Sequence, residues 1–158
     1  MKMVKEIKLF KKILFPLDLS EVSPKIAPWV YRVAQDYGAE LHFLHVVRNF
    51  QYVSKSYVAL ESIRGFEDEI ERGSKKRLKE FIDTYFHGYK PCKQSVIIGD
   101  ASDKILQYIT NKKIDLVIMG THGRKGLEKA IFGSVADRVV KMSPTPVMTI
   151  NPFKVHPI

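Results

Sequence analysis

The residues best suited to chemistry form a spaced glycine pattern near the end of the chain. Two residues separate Gly120 from Gly123, nine more precede Gly133, and Ser134 follows directly. The apolar run before Gly120 predicts a buried strand, and the residues after Gly133 have helical spacing. Glycine lets a backbone approach a ligand or take up a positive φ, and the N–H groups at a helix start favour an anion. This order of strand, glycine loop and helix therefore indicates a phosphate-binding loop, to which Ser134 adds a hydroxyl donor.

The spacing separates this loop from two other phosphate-binding patterns. No Lys-Ser or Lys-Thr pair follows a glycine as the Walker A motif requires. The Gly-x-Gly-x-x-Gly pattern does not match either, because Gly120, Gly123 and Gly126 are each three residues apart. Taken alone, the glycines also fit an ordinary turn between a strand and a helix, so spacing by itself leaves both interpretations open.

Size and composition restrict the class of protein. The chain has 158 residues, which predicts one domain, and 45% of them are hydrophobic, which is ample for a core. No stretch approaches the ~20 apolar residues that cross a bilayer. Charges at Lys2, Lys5, Glu6 and Lys8 interrupt any signal-peptide core, and the single Cys92 has no partner for an internal disulfide. We therefore expect a cytoplasmic protein without membrane contact.

The net charge of +9 raises the question of a nucleic-acid partner. The basic residues are scattered, and Asp68 with Arg72, and Glu71 with Lys75, have the four-residue spacing of helix ion pairs. This spacing favours a solvated helix face over a DNA-binding stripe, so we do not expect a nucleic-acid partner. The positive field would still attract anionic ligands.

Predicted strands and helices alternate along the chain. The strands cover 13–17, 40–47, 94–98, 115–119 and 146–150, and three of the helices cover about 61–86, 101–112 and 134–142. The first helix begins either at Ser23, as N-cap, or nearer Pro28, and ends at Gly38. The alternation predicts an α/β fold with an open parallel sheet and helices on both faces. Ligands of such sheets bind where the strand order reverses, so Asp18 and Gly120 line one crevice if the first and fourth strands are neighbours at that point.

With these residues in view, the chain resembles the universal stress protein family. The resemblance rests on four blocks in order: 12–21, 41–46, 115–123, and 132–140 followed by 144–148. The glycines and Ser134 also satisfy the pattern of the family's ATP-binding branch, Gly-x2-Gly-x9-Gly-(Ser/Thr). The resemblance implies an adenine nucleotide alpha hydrolase-like fold, a single-domain five-stranded sheet of order 3-2-1-4-5.

The same resemblance implies a division of the chain and a set of nucleotide-binding residues. Residues 1–10 form an extension, 11–151 the universal stress protein domain, and 152–158 a tail. Three parts of the chain supply the contacts: the turn after the first strand, the backbone of the second strand, and the glycine loop after the fourth strand. The expected binding residues are Pro16, Leu17, Asp18, Val46, Met119, Gly120, His122, Gly123, Arg124, Gly133, Ser134 and Val135.

The roles within this set differ. Pro16, Leu17 and Asp18 would line the nucleoside pocket, with a turn or cap residue as the alternative for Asp18. The backbone of Val46 would meet the adenine edge, and Met119 and Gly120 would lie near the ribose and base. Gly123 would lie near the phosphates, which Gly133, Ser134 and Val135 would bind.

Two further groups in or near the glycine loop stay open. His122 touches phosphate, acts as an acid or base, or makes a structural or loop hydrogen bond. The structural or loop role is favoured, because no nucleophile or paired carboxylate accompanies His122. Arg124, Lys125 and Lys129 either reach phosphate oxygens or are exposed to solvent. Elsewhere, His42 and His45 lie three apart on a predicted strand and point to opposite faces, so we expect no shared metal.

The resemblance implies an ATP-binding regulatory protein of the stress response, with ATP and Mg²⁺ as cofactors. We expect no efficient catalysis, because no general base, nucleophile or metal-binding carboxylate pair is evident in the sequence. One alternative is a slow ATPase or adenylyl-transferring enzyme of the same fold, and another is a basic nucleic-acid-binding protein. We also expect a homodimer through strand 146–150, because an edge strand presents unpaired backbone groups and family members commonly pair there. A monomer whose tail covers this edge is the alternative.

Overall fold

The computed structural model describes residues 10–48, 60–122 and 132–156. Within these ranges five strands alternate with four helices: β1 (Lys12–Pro16), α1 (Ser23–Tyr37), β2 (Glu40–Val47), α2 (Leu60–Tyr85), β3 (Cys92–Ile98), α3 (Ala101–Lys112), β4 (Leu116–Gly120), α4 (Ser134–Met142) and β5 (Val147–Ile150). The predicted elements are all present, with ends that differ by at most two residues. Gly123, Arg124, Lys125 and Lys129 lie outside the described residues.

The strands form one parallel sheet in the order β3-β2-β1-β4-β5, which confirms the order that the resemblance implied. β1 pairs with β2 from Lys12 opposite Glu40 to Pro16 opposite Leu44. On its other side β1 pairs with β4, with Ile13 opposite Leu116. The strand order reverses between β1 and β4, so a crevice forms where these two neighbours end.

Two apolar layers cover the sheet. α1 and α2 pack on one face, where Ile13 and Phe15 of β1 join their core. α3 and α4 pack on the other face, where the intervening Leu14 points. The inner strands β1, β2 and β4 are therefore largely buried on both sides, which explains their mostly apolar sequences. The edge strands β3 and β5 are mostly half-buried or exposed.

The start of α1 settles one open expectation. The helix begins at Ser23 and includes Pro28, but its N-cap is Val22 and no side chain caps it. The expectation that Ser23 is the N-cap is therefore wrong; its hydroxyl donates to Asp18 instead. Gly38 ends the helix in the left-handed conformation, at φ 59°, as predicted.

The charged face of α2 forms in part as predicted. Lys75 Nζ lies 2.6 Å from Glu71 Oε1, the expected ion pair. Arg72 instead donates its Nε proton to the backbone carbonyl of Asp68, at 3.3 Å. Across the described ranges, no helix combines the length and the apolar character needed to span a membrane.

Candidate functional site

Asp18 organises the turn that leads from β1 into α1. Its Oδ1 accepts hydrogen bonds from the backbone N–H of Ser20 at 3.0 Å, from the Ser20 hydroxyl at 2.6 Å and from the Ser23 hydroxyl at 3.3 Å. A carboxylate that accepts from the N–H two residues later forms an Asx turn. The turn-forming role that was the alternative for Asp18 is therefore present, and it holds the carboxylate at the mouth of the crevice.

The next residue in this turn has an unusual backbone. Leu19 has φ 56°, in the left-handed region that non-glycine residues rarely occupy. Its carbonyl accepts a hydrogen bond from Arg77 Nη2 of α2 at 3.0 Å. Such a conformation costs about 1–3 kcal/mol and persists where surrounding contacts hold it. Arg77 is thus a positioning residue that the sequence analysis missed, because the contact joins residues 58 apart.

The end of β2 presents backbone N–H and C=O groups to the crevice. Leu17 donates its N–H to the Leu44 carbonyl at 3.0 Å, so the backbone of Leu44 faces β1. Alternate residues of a strand point their N–H and C=O groups to the same neighbour, so those of Val46 also point toward the β1 side. β1 itself has already ended at Pro16. The N–H and C=O of Val46 therefore face the space beyond the end of β1.

A histidine joins the two strands at this point. His45 is buried, and its Nδ1 lies 2.9 Å from the Leu17 carbonyl. A carbonyl oxygen only accepts, so Nδ1 carries the proton. The contact holds Leu17, which directly follows β1, against β2 beside Val46.

Gly120 at the end of β4 serves packing. A Cβ at this position would lie 2.5 Å from Ile26 Cδ1 of α1 and 3.1 Å from the His122 carbonyl oxygen. Its φ lies outside the left-handed region. The absence of a side chain therefore lets α1 approach β4, which differs from the close approach to a ligand that the glycine pattern predicts.

Gly133 has a backbone that any residue can adopt, with φ −68° and ψ 159°. The positive φ expected for the loop glycines does not occur here. Its N–H donates to the Thr121 carbonyl at 2.6 Å, which fastens the start of α4 to the residue after β4. The first N–H groups of α4, those of Ser134 and Val135, have no partner within the helix because of helix geometry. Phosphate contacts would therefore fall to these two residues rather than to the Gly133 N–H.

His122 is buried beside the same turn. Its Nδ1 lies 2.8 Å from the Thr121 hydroxyl oxygen, and its ring packs edge-on against Phe153 with centroids 5.9 Å apart. Lys25 Nζ lies 5.3 Å from the centroid of the Phe153 ring. These contacts favour the loop hydrogen-bond role for His122, and they bring the segment after β5 to the α1 side of the crevice.

The structure thus brings most of the expected binding residues to one edge of the sheet. Three strand ends and the start of α4 surround the crevice. The end of β1 and the turn after it supply Pro16, Leu17 and Asp18, and β2 supplies Val46. The end of β4 and the residues after it supply Met119, Gly120 and His122, and the N-cap and first turn of α4 supply Gly133, Ser134 and Val135.

A second polar cluster lies away from this crevice, between β2, β3 and α3. His42 Nδ1 is 3.0 Å from the Tyr108 hydroxyl, and its Nε2 is 2.6 Å from Glu40 Oε1. Burial lowers the pKa of His42 despite Glu40. Burial alone would raise the pKa of Glu40, but hydrogen bonds from His42 and Lys93 outweigh it, so that pKa is lowered. His42 and His45 have different partners, and the described residues contain no cluster of three potential metal ligands.

Comparison with known proteins identifies the family. The family model of the universal stress protein family matches residues 9–151. The chain belongs to the universal stress protein family. It is 32% identical over 144 residues to universal stress protein MJ0531 of Methanocaldococcus jannaschii, a match that covers 90% of this chain and 83% of that protein.

Solved structures agree with the fold. The structure of protein MJ0577 from the same organism superimposes with a TM-score of 0.79 at 25% identity and covers 91% of this chain and 97% of that chain. A universal stress protein family member from Arabidopsis thaliana, solved with AMP bound, gives a TM-score of 0.61 at 20% identity and covers 89% of this chain and 91% of that chain. Because the Arabidopsis protein is only 20% identical in sequence, its similarity shows the fold alone.

Proposed function

We propose that this universal stress protein binds an adenine nucleotide, ATP, in the crevice between the ends of β1 and β4. It acts as a cytoplasmic regulatory protein of the stress response, without efficient catalysis. The observation that carries the proposal is the outward-facing backbone of Val46, which shares one edge of the sheet with the N-terminus of α4. One part of the crevice suits a base, and the other suits an anion.

The base end combines two backbone groups with apolar walls. The N–H of Val46 can donate to a ring nitrogen of adenine, and its C=O can accept from the exocyclic amino group. Leu17 and Met119 are both buried and supply apolar surface nearby. An edge-on pair of hydrogen bonds within apolar walls is a common way to hold a planar ligand.

The phosphate end is the start of α4. The N–H groups of Ser134 and Val135 lie at the positive end of the helix dipole, and Ser134 is an exposed residue. Asp137 in the first turn is paired with Lys141, with Nζ and Oδ2 2.9 Å apart. This pairing reduces the repulsion that the carboxylate would exert on a phosphate, and the net charge of +9 attracts the anion from a distance.

Mg²⁺ would accompany ATP through the phosphates. Magnesium keeps several waters and is commonly held by one or two carboxylates with substrate phosphates. In the described part of the chain no cluster of three potential ligands exists, and Asp18 Oδ1 already accepts three hydrogen bonds. The chain therefore fits a magnesium ion bound mainly by nucleotide and water.

The Arabidopsis relative supports the class of ligand, because it was solved with AMP bound. The preference for ATP rests on the full glycine pattern of Gly120, Gly123, Gly133 and Ser134. This pattern resembles that of the family's ATP-binding branch.

A proline at the first position of α4 tests the phosphate end. Ser134→Pro removes one N–H and the hydroxyl, yet proline is favoured at this helix position, and Gly133 already has the extended backbone that a residue before proline needs. Losing hydrogen bonds to a charged group costs about 1.5–3 kcal/mol, or about 10- to 150-fold in affinity. We expect this loss for ATP and no change for adenosine, measured by titration calorimetry on nucleotide-free protein. Ser134→Ala, which keeps the N–H, should lose less.

If Ser134→Pro binds ATP as tightly as the wild type while keeping its thermal stability, the start of α4 is not the phosphate site. The same samples test the alternative of a slow ATPase. Release of phosphate from ATP above a buffer control, if it is lost in His122→Ala or Arg124→Ala, would show that the protein is a slow ATPase and not only a nucleotide-binding regulator.

We further propose a homodimer through the edge of β5. The carbonyls of Pro146 and Ile150 accept from Val117 and Thr121, so even-numbered residues face β4. By alternation, the N–H and C=O groups of Val147 and Thr149 face away from the sheet. Two-fold pairing of this edge would be antiparallel.

The helix that precedes β5 also carries exposed apolar side chains. Met142 is 65% exposed and Val140 is 43% exposed. Thr149→Pro should abolish the dimer, because it removes an outward N–H without removing a bond to β4. Light scattering at micromolar concentration would show a monomer for this variant and a dimer for the wild type. A monomeric wild type, or a dimer unaffected by Thr149→Pro, would refute the interface.

A further inference from the structure

A groove lies along the outer edge of β3, at the opposite end of the sheet from β5. It has a volume of about 610 Å³ and is lined by β3, α2 and α3. Gln94 to Ile97 form its floor, because α2 and α3 lie on opposite faces of the sheet and extend on either side of the strand. The groove lies along the outer edge of β3, whereas the crevice lies at the carboxyl ends of β2, β1 and β4.

The floor of the groove carries backbone groups that have no backbone partner among the described residues. The Pro91 carbonyl accepts from Leu41, and Gly99 donates to the Val47 carbonyl, so odd-numbered residues of β3 face β2. Alternation then points the N–H and C=O groups of Gln94 and Val96 into the groove. Within the described residues, β2 is the only strand that pairs with β3. An edge of this kind is a template for a further strand.

The two walls differ in chemistry. On the α2 wall, Lys75 is paired with Glu71, with Nζ and Oε1 2.6 Å apart, and the buried Leu78 adds apolar surface. On the α3 wall, Lys104 and Lys112 contribute two positive charges. No carboxylate on the α3 wall balances them, since its other lining residues are neutral. The groove is therefore cationic on one side and close to neutral on the other.

Lys104 is held at the end of the strand. A Cβ on Gly99 would lie 2.6 Å from its Cε, so the hydrocarbon stem of the lysine crosses the backbone where β3 ends. Its Nζ lies 3.5 Å from Gln107 Oε1, also in the groove. The ammonium group is thus directed along the α3 wall.

We propose that this groove binds an extended acidic peptide that adds to β3 as a sixth strand. The peptide exchanges backbone hydrogen bonds with Gln94 and Val96. Side chains of a strand alternate between faces, so acidic residues at every second position meet Lys104 and Lys112, and apolar residues between them meet the α2 wall. A second copy of this chain is a poorer occupant, because two-fold pairing would bring the lysines of two grooves together.

The probe is a hexapeptide of alternating glutamate and valine, capped at both ends. The control peptide has the same composition in two blocks, three glutamates followed by three valines. With ¹⁵N-labelled protein, saturating alternating peptide should slow amide hydrogen exchange of Gln94 and Val96 at least tenfold. The amides of Ser95 and Ile97, which face β2, should change little. The block peptide should have a much weaker effect.

Charge reversal tests the α3 wall. The double variant Lys104→Glu/Lys112→Glu should bind the alternating peptide about tenfold more weakly or worse, because it turns two attractive contacts into repulsive ones. Lys76→Glu, the same change on an exposed position of α2 outside the groove, should bind like the wild type. Both variants should keep the thermal stability of the wild type within a few degrees.

Peptide chemistry gives a test that needs no protein variant. N-methylation of alternate peptide amides should abolish binding when the methyl groups face β3 and leave it when they face solvent. Equal binding of both methylated peptides would overturn the added strand.

Three other outcomes would also overturn the proposal. They are unchanged exchange at Gln94 and Val96 with millimolar peptide, equal binding of the block peptide, and protection of these amides that depends on protein concentration alone. The last would assign the edge to a second copy. Stronger protection by a single-stranded oligonucleotide than by the peptide would assign the groove to nucleic acid.

Discussion

Replacing Gly120 with alanine should destabilise the protein, because the added methyl group has no space. A Cβ there would lie 2.5 Å from Ile26 Cδ1 and 3.1 Å from the His122 carbonyl oxygen. The isoleucine is 3% exposed and belongs to the core between α1 and the sheet, so its terminal methyl has little room to move. The clash therefore strains the contact of α1 with β4 at the candidate site.

The size of the effect follows from overpacking. Extra carbon atoms in a packed core typically cost about 1–3 kcal/mol. At about 2–4 °C per kcal/mol for a domain of this length, Gly120→Ala should lower the melting temperature by about 2–12 °C. Ile26→Val, which removes the Cδ1 atom, should alone cost about 0.5–1.5 kcal/mol.

The double variant isolates the clash. Gly120→Ala/Ile26→Val should be more stable than the sum of the two single effects predicts, by about 1 kcal/mol or more, because the valine vacates the space that the new methyl needs. Urea denaturation of the four proteins measures this coupling. Additive effects, or a Gly120→Ala variant as stable as the wild type, would refute the packing role of Gly120.

Gly73 in α2 provides the matched control. A Cβ at Gly73 meets nothing within 4 Å. Alanine there should stabilise the protein by about 0.5–1 kcal/mol, because glycine inside a helix is entropically costly. The same chemical change should thus have opposite signs at the two positions.

Three further predictions follow from single contacts. Gly133→Ala should lower the free energy of unfolding in urea by about 1 kcal/mol or less. The backbone φ of −68° suits alanine, and the new Cβ would lie 3.3 Å from the Thr121 carbonyl oxygen. A larger loss of stability would contradict this geometry. The free energy of unfolding should fall as the pH drops from 7 to 5. Burial lowers the pKa of His42 below the ~6.5 of the unfolded chain, so the unfolded state binds more protons in this range. The lowered pKa of Glu40 adds to the loss of stability below about pH 4.5. His42→Gln should flatten the decline between pH 7 and 5, and a wild type with constant stability there would contradict the prediction. Asp100→Ala should lower the free energy of unfolding from thermal melts by about 1 kcal/mol, because Asp100 Oδ1 caps α3 by accepting from the N–H of Asp103 at 3.0 Å. Asp100→Asn, which keeps a side-chain oxygen, should lose less stability.

Local patterns in the sequence were enough to predict the elements of the fold. Apolar runs marked the strands, and Gly38 marked the end of α1, because these signals depend on neighbouring residues. The order of the strands depends on contacts between distant segments, and it came from the resemblance rather than from periodicity. Only the family blocks linked β1 with β4.

The chemistry of the site was harder to predict than its location. Sequence reasoning assigned the loop glycines to ligand approach and positive φ, whereas Gly120 makes room for Ile26 and Gly133 has an ordinary backbone. The support of Leu19 by Arg77 had no local signal, because α2 meets the β1 turn only in the folded chain. Such contacts between distant residues determine geometry that sequence spacing does not encode.

The most direct test of the nucleotide proposal is a crystal structure of the chain grown with ATP and Mg²⁺. We predict adenine against the backbone N–H and C=O of Val46, and phosphates at the N–H groups of Ser134 and Val135. Difference density for ATP elsewhere, including the groove beside β3, would contradict the account. So would an empty crevice at millimolar ATP.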